Sequence, residues 1–498
     1  MKSERTTQAL LIAILALNFS QNVLMDGQGN PNYKTVLVAE LFRHGARTTT
    51  KRDKINFPFT KEIGFGNLTG NGQRMHFLRG QEIRKNYSEL FNTGQEPTNF
   101  DYILYSSPLP RCIVSANSHL LGIYPPGPNM GNKVSTSQTG EGLKYMSPPG
   151  EGANVVFNNQ TYPSALPGGF RAFPVISFQN IDYMFLHNGE KSCPGIGNLE
   201  HPPTQNSKEE SSSFPPLDTR ETIKQMNTAG FKSQLIFGES NWSTYLLSRF
   251  FDQVRAYLYY NGKQISGMSD DLYTQLRMIF TWEFFQFEVR GSPKNPIFRT
   301  TTISEQLLVN MNNKISGKNP NLKYLMFSGH DTTLYPFMYL HKMINMTCSK
   351  EMYDTYMKNK TIINTCMFGP EFAASFMWEL NKNSADGQYY VRVLYNGQPV
   401  HFCQNNQDGY YCKFSDFQTE VKSRLILPNF MQICKGSQQL SVDEKVYKPI
   451  TIVFMVTTGI FALTTILLLV KVNKGSKGEK SSESLESRLT GEEVDEKN

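Results

Sequence analysis

The stretch TVLVAELFRHGAR occupies residues 35–47 and decides how the rest of the chain is organised. It begins with a mostly apolar run rich in β-formers, which is typical of a buried strand. The run ends abruptly at Arg43, His44 and Gly45, and Arg47 follows directly after. Two arginines at the end of a buried strand are costly to leave unpaired, so we expect a bound dianion as their partner.

Two other segments repeat this pattern of an apolar run that ends in polar residues. Residues 101–105 and 322–327 are predicted to form buried strands, and polar clusters follow at 106–111 and 328–333. Strands that alternate with helical patterns predict an α/β fold with an open, mostly parallel sheet and flanking helices. Ligands bind beyond the carboxyl ends of such strands, so we expect both clusters to meet residues 43–47 in space.

The middle of the chain has a different composition. The segment from about 125 to 300 begins rich in Gly, Pro, Asn and Ser and later acquires helical spacing. We interpret it as a smaller, mainly helical cap inserted over the sheet. Further along, residues 389–394 alternate as a strand and are followed by Asn396 and Gly397, which is a strong hairpin signal.

The two ends of the chain predict a secreted, membrane-anchored topology. Residues 1–21 have a charged start, a short apolar core and a polar exit, as in a secretory signal peptide. Residues 450–470 carry no charge and would span roughly 31 Å as a helix, which matches a bilayer. A lysine-rich, disordered cytosolic tail is predicted at 471–498. We therefore expect a type I membrane protein with a lumenal or extracellular domain at 22–445.

Cysteine usage fits an oxidising compartment. The chain has seven cysteines, all upstream of residues 450–470. Cys348 with Cys366, and Cys403 with Cys412, are close in sequence, and either pair is a candidate disulfide. The odd number leaves at least one thiol free or paired with another chain. Six sequons predict glycosylation, at Asn67, Asn86, Asn159, Asn241, Asn345 and Asn359.

Charge and metal-ligand spacing exclude other classes of function. The net charge is +7, but no basic stripe interleaved with aromatics is present, so nucleic acid is not expected as a partner. No pair of cysteines has the spacing of a zinc site. The cations and imidazoles near the strand ends suit phosphoryl transfer instead.

These motifs resemble those of the histidine acid phosphatases, the acid-phosphatase branch of the histidine phosphatase superfamily. The family's RHGxRxP motif corresponds to RHGARTT at residues 43–49. Its LTxxGxxQ segment begins at Leu68, and its RSTDxxR segment resembles SSPLPR at 106–111. Its C-terminal signature corresponds to SGHDTT at 328–333, and the resemblance runs from about 35 to 430.

The resemblance implies a role for each matching residue. His44 would attack phosphorus, and Asp331 would protonate the leaving group and then activate water. No metal and no cofactor would be needed, and the pH optimum would be acidic. Phosphate monoesters, phosphoproteins among them, would be the substrates, and a homodimer is compatible with the family. The phosphate would be held by Arg43, Arg47, Arg111 and His330.

Two departures from the family pattern leave alternatives open. Thr49 replaces the usual proline, and Pro108 stands where an Asp is common, which bears on how Arg111 is aimed. Phytate hydrolysis is one alternative, although His-Asp-Thr at 330–332 favours a general phosphomonoesterase over the His-Ala-Glu of phytate-directed relatives. A catalytically weak surface receptor with this fold is another. The membrane anchor and Pro108 motivate it, and the intact His44 and Asp331 oppose it. Both a lysosome-like compartment and the cell surface agree with this topology.

Overall fold

A computed structural model describes most of the chain upstream of residue 436. Among the described residues, no helix is both long and apolar enough to cross a bilayer. The predicted signal peptide, the predicted membrane helix at 450–470 and the predicted tail at 471–498 lie outside the described residues. The described ranges are 30–50, 62–94, 96–127, 166–178, 182–186, 192–197, 216–289, 294–363, 366–403 and 409–435.

A mixed β-sheet lies at the centre of the fold. Its strands are β1 Tyr33–Arg43, β2 Tyr102–Ser106, β3 Tyr324–Gly329, β4 Ser375–Asn383, β5 Tyr389–Tyr395, β6 Gln398–Val400 and β7 Tyr411–Lys413. The strand order is β2-β3-β1-β4-β5-β6, and β7 pairs with β5. The strands β2, β3 and β1 are parallel, and every other pairing is antiparallel.

The expectation of a mostly parallel sheet is therefore wrong. From β4 onward the chain returns through short connections, and a tight hairpin can join only antiparallel strands. One of these hairpins was expected from the sequence. It joins β5 to β6 at Asn396 and Gly397, whose φ angles of 50° and 81° suit the two central positions of a type I′ turn.

Helices cover both faces of the sheet. Side chains of β1 alternate between the faces: Val38 and Phe42 join one apolar core, while Leu37 and Leu41 join another. The helices are α1 Gly70–Asn86, α2 Ser88–Phe91, α3 Pro110–Ile123, α4 Arg220–Thr228, α5 Ser233–Ile236, α6 Thr244–Asn261, α7 Asp270–Val289, α8 Asn295–Ile315, α9 Asp331–Leu340, α10 Met346–Asn359 and α11 Phe414–Arg424.

The helices of the predicted cap share a core with the sheet. Leu247 and Phe251 of α6 and Leu276 of α7 belong to the same buried cluster as Leu41 of β1. Burial of this shared apolar surface fixes α6 and α7 beside the carboxyl ends of the strands. The limits of about 125 to 300 for the cap remain a prediction.

Three disulfides close the described part of the chain. Cys348–Cys366 and Cys403–Cys412 form as expected from their spacing. Cys193 and Cys434 are 241 residues apart and form a third bond that spacing does not reveal. Such bonds indicate an oxidising compartment. The seventh cysteine, Cys112, is free and buried.

Helices α1 and α3 cross at two glycines. A Cβ atom on Gly80 would lie 2.0 Å from the His119 carbonyl oxygen, and one on Gly122 would lie 2.2 Å from that of Phe77. Neither backbone has room to retreat, because both helices pack against the sheet.

We expect Gly80→Ala to lower the free energy of unfolding by about 2–3 kcal/mol, because the added methyl forces the two helices apart. Gly70→Ala is the control on the same helix, since a Cβ there meets nothing within 4 Å. Chemical denaturation of both variants gives the comparison. Equal stability of the two variants would contradict this packing.

Candidate active site

Parallel pairing brings three polar clusters to one edge of the sheet. Arg43 of β1 lies in register with Gly329 of β3, and the His44 amide donates to the Gly329 carbonyl oxygen at 3.0 Å. Beyond the end of β2, the Ser107 amide donates to the Ser328 carbonyl oxygen at 2.9 Å. The three polar clusters therefore lie together, because their strands end at the same edge of the sheet. These clusters are residues 43–47, 106–111 and 328–333.

The loop after β1 is held by close backbone packing on α1. A Cβ on Gly45 would lie 2.3 Å from the Gly72 carbonyl oxygen, and one on Gly72 would lie 2.1 Å from that of Ala46. The hydroxyl of Thr69, which caps α1, donates to the same Ala46 oxygen at 2.9 Å. This contact fixes the backbone on both sides of His44.

His44 presents one basic nitrogen to the site. Its Nδ1 lies 2.8 Å from the Gly45 carbonyl oxygen, which only accepts, so Nδ1 carries the hydrogen and Nε2 keeps its lone pair. Burial lowers the pKa of His44 well below 6.5, and nearby positive charges lower it further. In decreasing order of effect, the neighbours that lower it are Arg111, Arg43, Arg47 and His330.

Arg43 is fully buried and bridges the site. Its Nη1 donates to the Pro370 carbonyl oxygen at 2.6 Å, and its Nη2 lies 2.7 Å from Asp331 Oδ2. The guanidinium carbon lies 4.3 Å from the centre of the Phe372 ring. Burial lowers the pKa of Arg43 to about 10, with Asp331 opposing that shift, so the side chain stays charged.

Arg47 is held by a carboxylate that the sequence analysis did not identify. Its Nη2 donates to both Asp252 oxygens at 3.1 Å, and its Nη1 donates to the Thr48 carbonyl oxygen at 3.1 Å. Asp252 lies on α6 and also accepts from Arg255 at 3.0 Å. Burial on its own raises the pKa of Asp252, but Arg47, Arg255 and Arg43 together hold it well below its usual range.

The ion pairs continue away from Arg47 into the helical layer. Arg255 Nη1 lies 3.7 Å from Glu371 Oε2, and Arg277 Nη2 lies 3.0 Å from Glu371 Oε1. Arg255 is 1% exposed in the middle of a largely apolar helix. A buried arginine requires an anionic partner, so this position was the available sequence signal for Asp252 and Glu371.

Arg111 lies in the first turn of α3, half-buried. Pro110 is the first residue of that helix, where its fixed φ and missing N–H are tolerated. Pro108 precedes the helix and leaves its hydrogen bonding intact. Arg111 Nη1 lies 3.5 Å from the Gly66 carbonyl oxygen.

His330 lies buried just before α9. Its Nε2 lies 2.7 Å from Ser107 Oγ and 3.6 Å from Cys112 Sγ. Burial raises the pKa of Cys112 to about 12, so its thiol stays protonated beside the imidazole. Asp331, the first residue of α9, completes the set of predicted site residues around His44.

The site opens into a cleft of about 290 Å³. Its lining includes Arg47 and Asp331, together with Tyr245, Phe280 and Phe284 of α6 and α7. Among the described residues, no group of three or more His, Cys, Asp or Glu side chains is arranged to hold a metal ion. The anion-binding groups that the described residues offer are arginines and imidazoles.

The family model of the histidine phosphatase superfamily (branch 2) matches residues 36–396, so the chain belongs to that superfamily. It is 22% identical over 399 residues to the prostatic acid phosphatase of Bos taurus, covering 79% of this chain and 84% of that protein. It is 23% identical over 302 residues to the lysosomal acid phosphatase of Xenopus laevis, covering 60% of this chain and 59% of that protein. A solved phytase of Citrobacter braakii shares the fold at 13% identity, with a TM-score of 0.51 over 80% of this chain and 99% of that one.

We expect His44→Asn to make folding less sensitive to acid. An unfolded imidazole binds a proton below pH 6.5 and the folded His44 does not, so its burial destabilises the fold progressively as the pH falls. Between pH 7 and pH 5 the wild-type chain should lose about 2 kcal/mol more unfolding free energy than the variant. Denaturant titrations at both pH values measure this difference. Equal losses would mean that folded His44 is protonated.

Proposed function

We propose that this protein is an acid phosphatase that hydrolyses phosphate monoesters through a covalent phosphohistidine intermediate. The observation that carries the proposal is the basic Nε2 of His44, kept unprotonated among buried cations. A nitrogen lone pair beside several guanidinium groups suits attack on a phosphoryl group, because the same charges that deprotonate the imidazole attract the phosphate.

The first half of the reaction transfers the phosphoryl group to the enzyme. His44 Nε2 forms a bond to phosphorus while the ester oxygen leaves with the electrons of the broken P–O bond. Asp331 gives that oxygen its proton. Arg43, Arg47, Arg111 and His330 balance the charge on the phosphoryl oxygens.

The second half returns the enzyme to its starting state. The ionised Asp331 takes a proton from water, the resulting hydroxide oxygen bonds to phosphorus, and the P–N bond breaks. His44 leaves as the neutral ring and inorganic phosphate is released. Asp331 must bring a proton to the departing ester oxygen, so acid favours the competent state, and we infer an acidic pH optimum.

We also propose that the enzyme acts outside the cytosol, held by one C-terminal membrane helix. The charge-free segment at 450–470 and the apolar run near the N-terminus support this topology. The three disulfides support an oxidising compartment for the domain at 22–445.

The alternative of a catalytically weak receptor has less support. Pro108 motivated it, but that residue lies outside α3 and leaves Arg111 close enough to lower the pKa of His44. The likeness to phytase structures concerns the fold alone, so it does not favour phytate as the substrate.

We expect His44→Ala to abolish hydrolysis of p-nitrophenyl phosphate by the full-length chain in detergent. The wild type should be most active in acid and should retain activity in EDTA, because arginines provide the charge compensation. His401→Ala is the control, since His401 is exposed. A wild type that is folded yet inactive from pH 4 to 9 would support the receptor alternative.

Asp331→Asn should discriminate between substrates by their leaving groups. An alkyl phosphate needs a proton on the departing oxygen, so its hydrolysis should fall by about 10²–10⁴-fold. p-Nitrophenolate leaves readily without protonation, and the loss in its phosphoryl-transfer step should be much smaller. Single-turnover kinetics with both esters give the comparison. Equal losses would assign Asp331 a role in phosphate binding rather than in proton donation.

A further inference from the structure

Arg47 has a competing anion within the described structure. Its Nη2 donates to both oxygens of Asp252, a partly buried residue of α6, at 3.1 Å. In the same part of the site, Nη1 of Arg47 donates to the Thr48 carbonyl oxygen, which is neutral. Asp252 is thus an anion in direct contact with Arg47, and a phosphate bound to Arg47 would compete with it.

Asp252 is kept ionised by more than one cation. It accepts from Arg255 at 3.0 Å as well as from Arg47, and Arg255 also lies 3.7 Å from Glu371. The carboxylate therefore stays charged in the acidic range where the proposed enzyme works, because Arg47, Arg255 and Arg43 hold its pKa well below the usual value. Its negative charge is a permanent feature of the cleft wall.

We propose that Asp252 limits the affinity of the site for phosphate, so that product leaves after each cycle. This inference rests on the proposed function, since it assigns Arg47 to the phosphate. The carboxylate lowers the affinity in two ways: it occupies Nη2 of Arg47 and it repels the incoming dianion.

A purely structural role makes the opposite prediction. If Asp252 only aimed Arg47, its loss would free the guanidinium and weaken phosphate binding. If Asp252 competes with phosphate, removal of its charge must tighten binding. Loss of order cannot produce tighter binding, so the direction of the change separates the two roles.

Asp252→Asn is the decisive variant. The amide is nearly the same shape, and its oxygen can still accept from Arg47 or Arg255, while the charge and one of the two acceptor oxygens are lost. We expect the dissociation constant for inorganic phosphate, measured by calorimetry on the full-length chain at pH 5.5, to fall about tenfold. The inhibition constant of phosphate against p-nitrophenyl phosphate hydrolysis should fall in parallel.

Asp271→Asn is the matched control. Asp271 lies on α7 and pairs with Lys360 at 3.0 Å and with Tyr356 at 2.9 Å, so the change removes a comparable carboxylate away from the site. Its phosphate affinity should equal that of the wild type. Asp252→Ser also removes the charge and replaces Asp252→Asn if that variant does not fold.

The outcomes separate the two proposals. A wild type that binds no phosphate would overturn the proposed function itself. A wild type that binds phosphate, with unchanged or weaker binding in the folded Asp252 variants, would overturn this inference alone. Tighter binding in the Asp252 variants, with the Asp271 control unchanged, would establish Asp252 as the residue that limits phosphate affinity.

Discussion

The site depends on the burial of Arg43 at the end of a central strand. A fully buried guanidinium needs a counter-charge, and Arg43 has one in Asp331, while its Nη1 donates to the Pro370 carbonyl oxygen. Because Arg43 precedes His44, this fixed side chain determines where the imidazole lies. Because Asp331 begins α9, the same ion pair joins the end of β1 to the start of that helix. The two groups assigned to the chemistry are therefore linked through one buried contact.

A second buried network lies behind the sheet and supports the same strand. Glu40 of β1 accepts from Tyr324 at 2.7 Å and lies 3.1 Å from His119 Nε2. Burial alone raises the pKa of Glu40, but contacts with His119, with Arg79 and with Tyr324 lower it to about 2. His76 Nε2 lies 3.1 Å from the Arg43 carbonyl oxygen and links this network to the site. Polar groups thus hold the strand from the face opposite the cleft, where apolar packing alone would leave Glu40 unpaired.

The sequence allowed prediction of the fold class and of the clusters that meet at the strand ends. The fold class follows from apolar runs that stop at polar residues, which is a local pattern. The meeting of the clusters follows from the rule that ligands bind beyond the carboxyl ends of such strands. Strand direction was not accessible, because the alternation in β5 is the same whether its neighbours run parallel or antiparallel. Asp252 and Glu371 were missed because Asp252 pairs with Arg47 and Glu371 pairs with Arg255, and both pairings join segments that are far apart in sequence. Only the buried Arg255 hinted that anions were needed.

The histidines set a limit on the acid range in which the fold can operate. Burial lowers the pKa of His76 and of His341 to about 3, so like His44 they stay neutral where the unfolded chain binds protons. Each therefore lowers stability as the pH falls below 6.5, by about 2 kcal/mol at pH 5. The ionised Glu40 contributes its full stabilisation above pH 4.5, and this contribution is lost as the pH falls towards 2. Protonation of Glu40 therefore adds to the loss of stability in acid. The proposed activity in acid therefore requires stability from a source that does not titrate. The disulfides, which include the 241-residue closure from Cys193 to Cys434, are such a source.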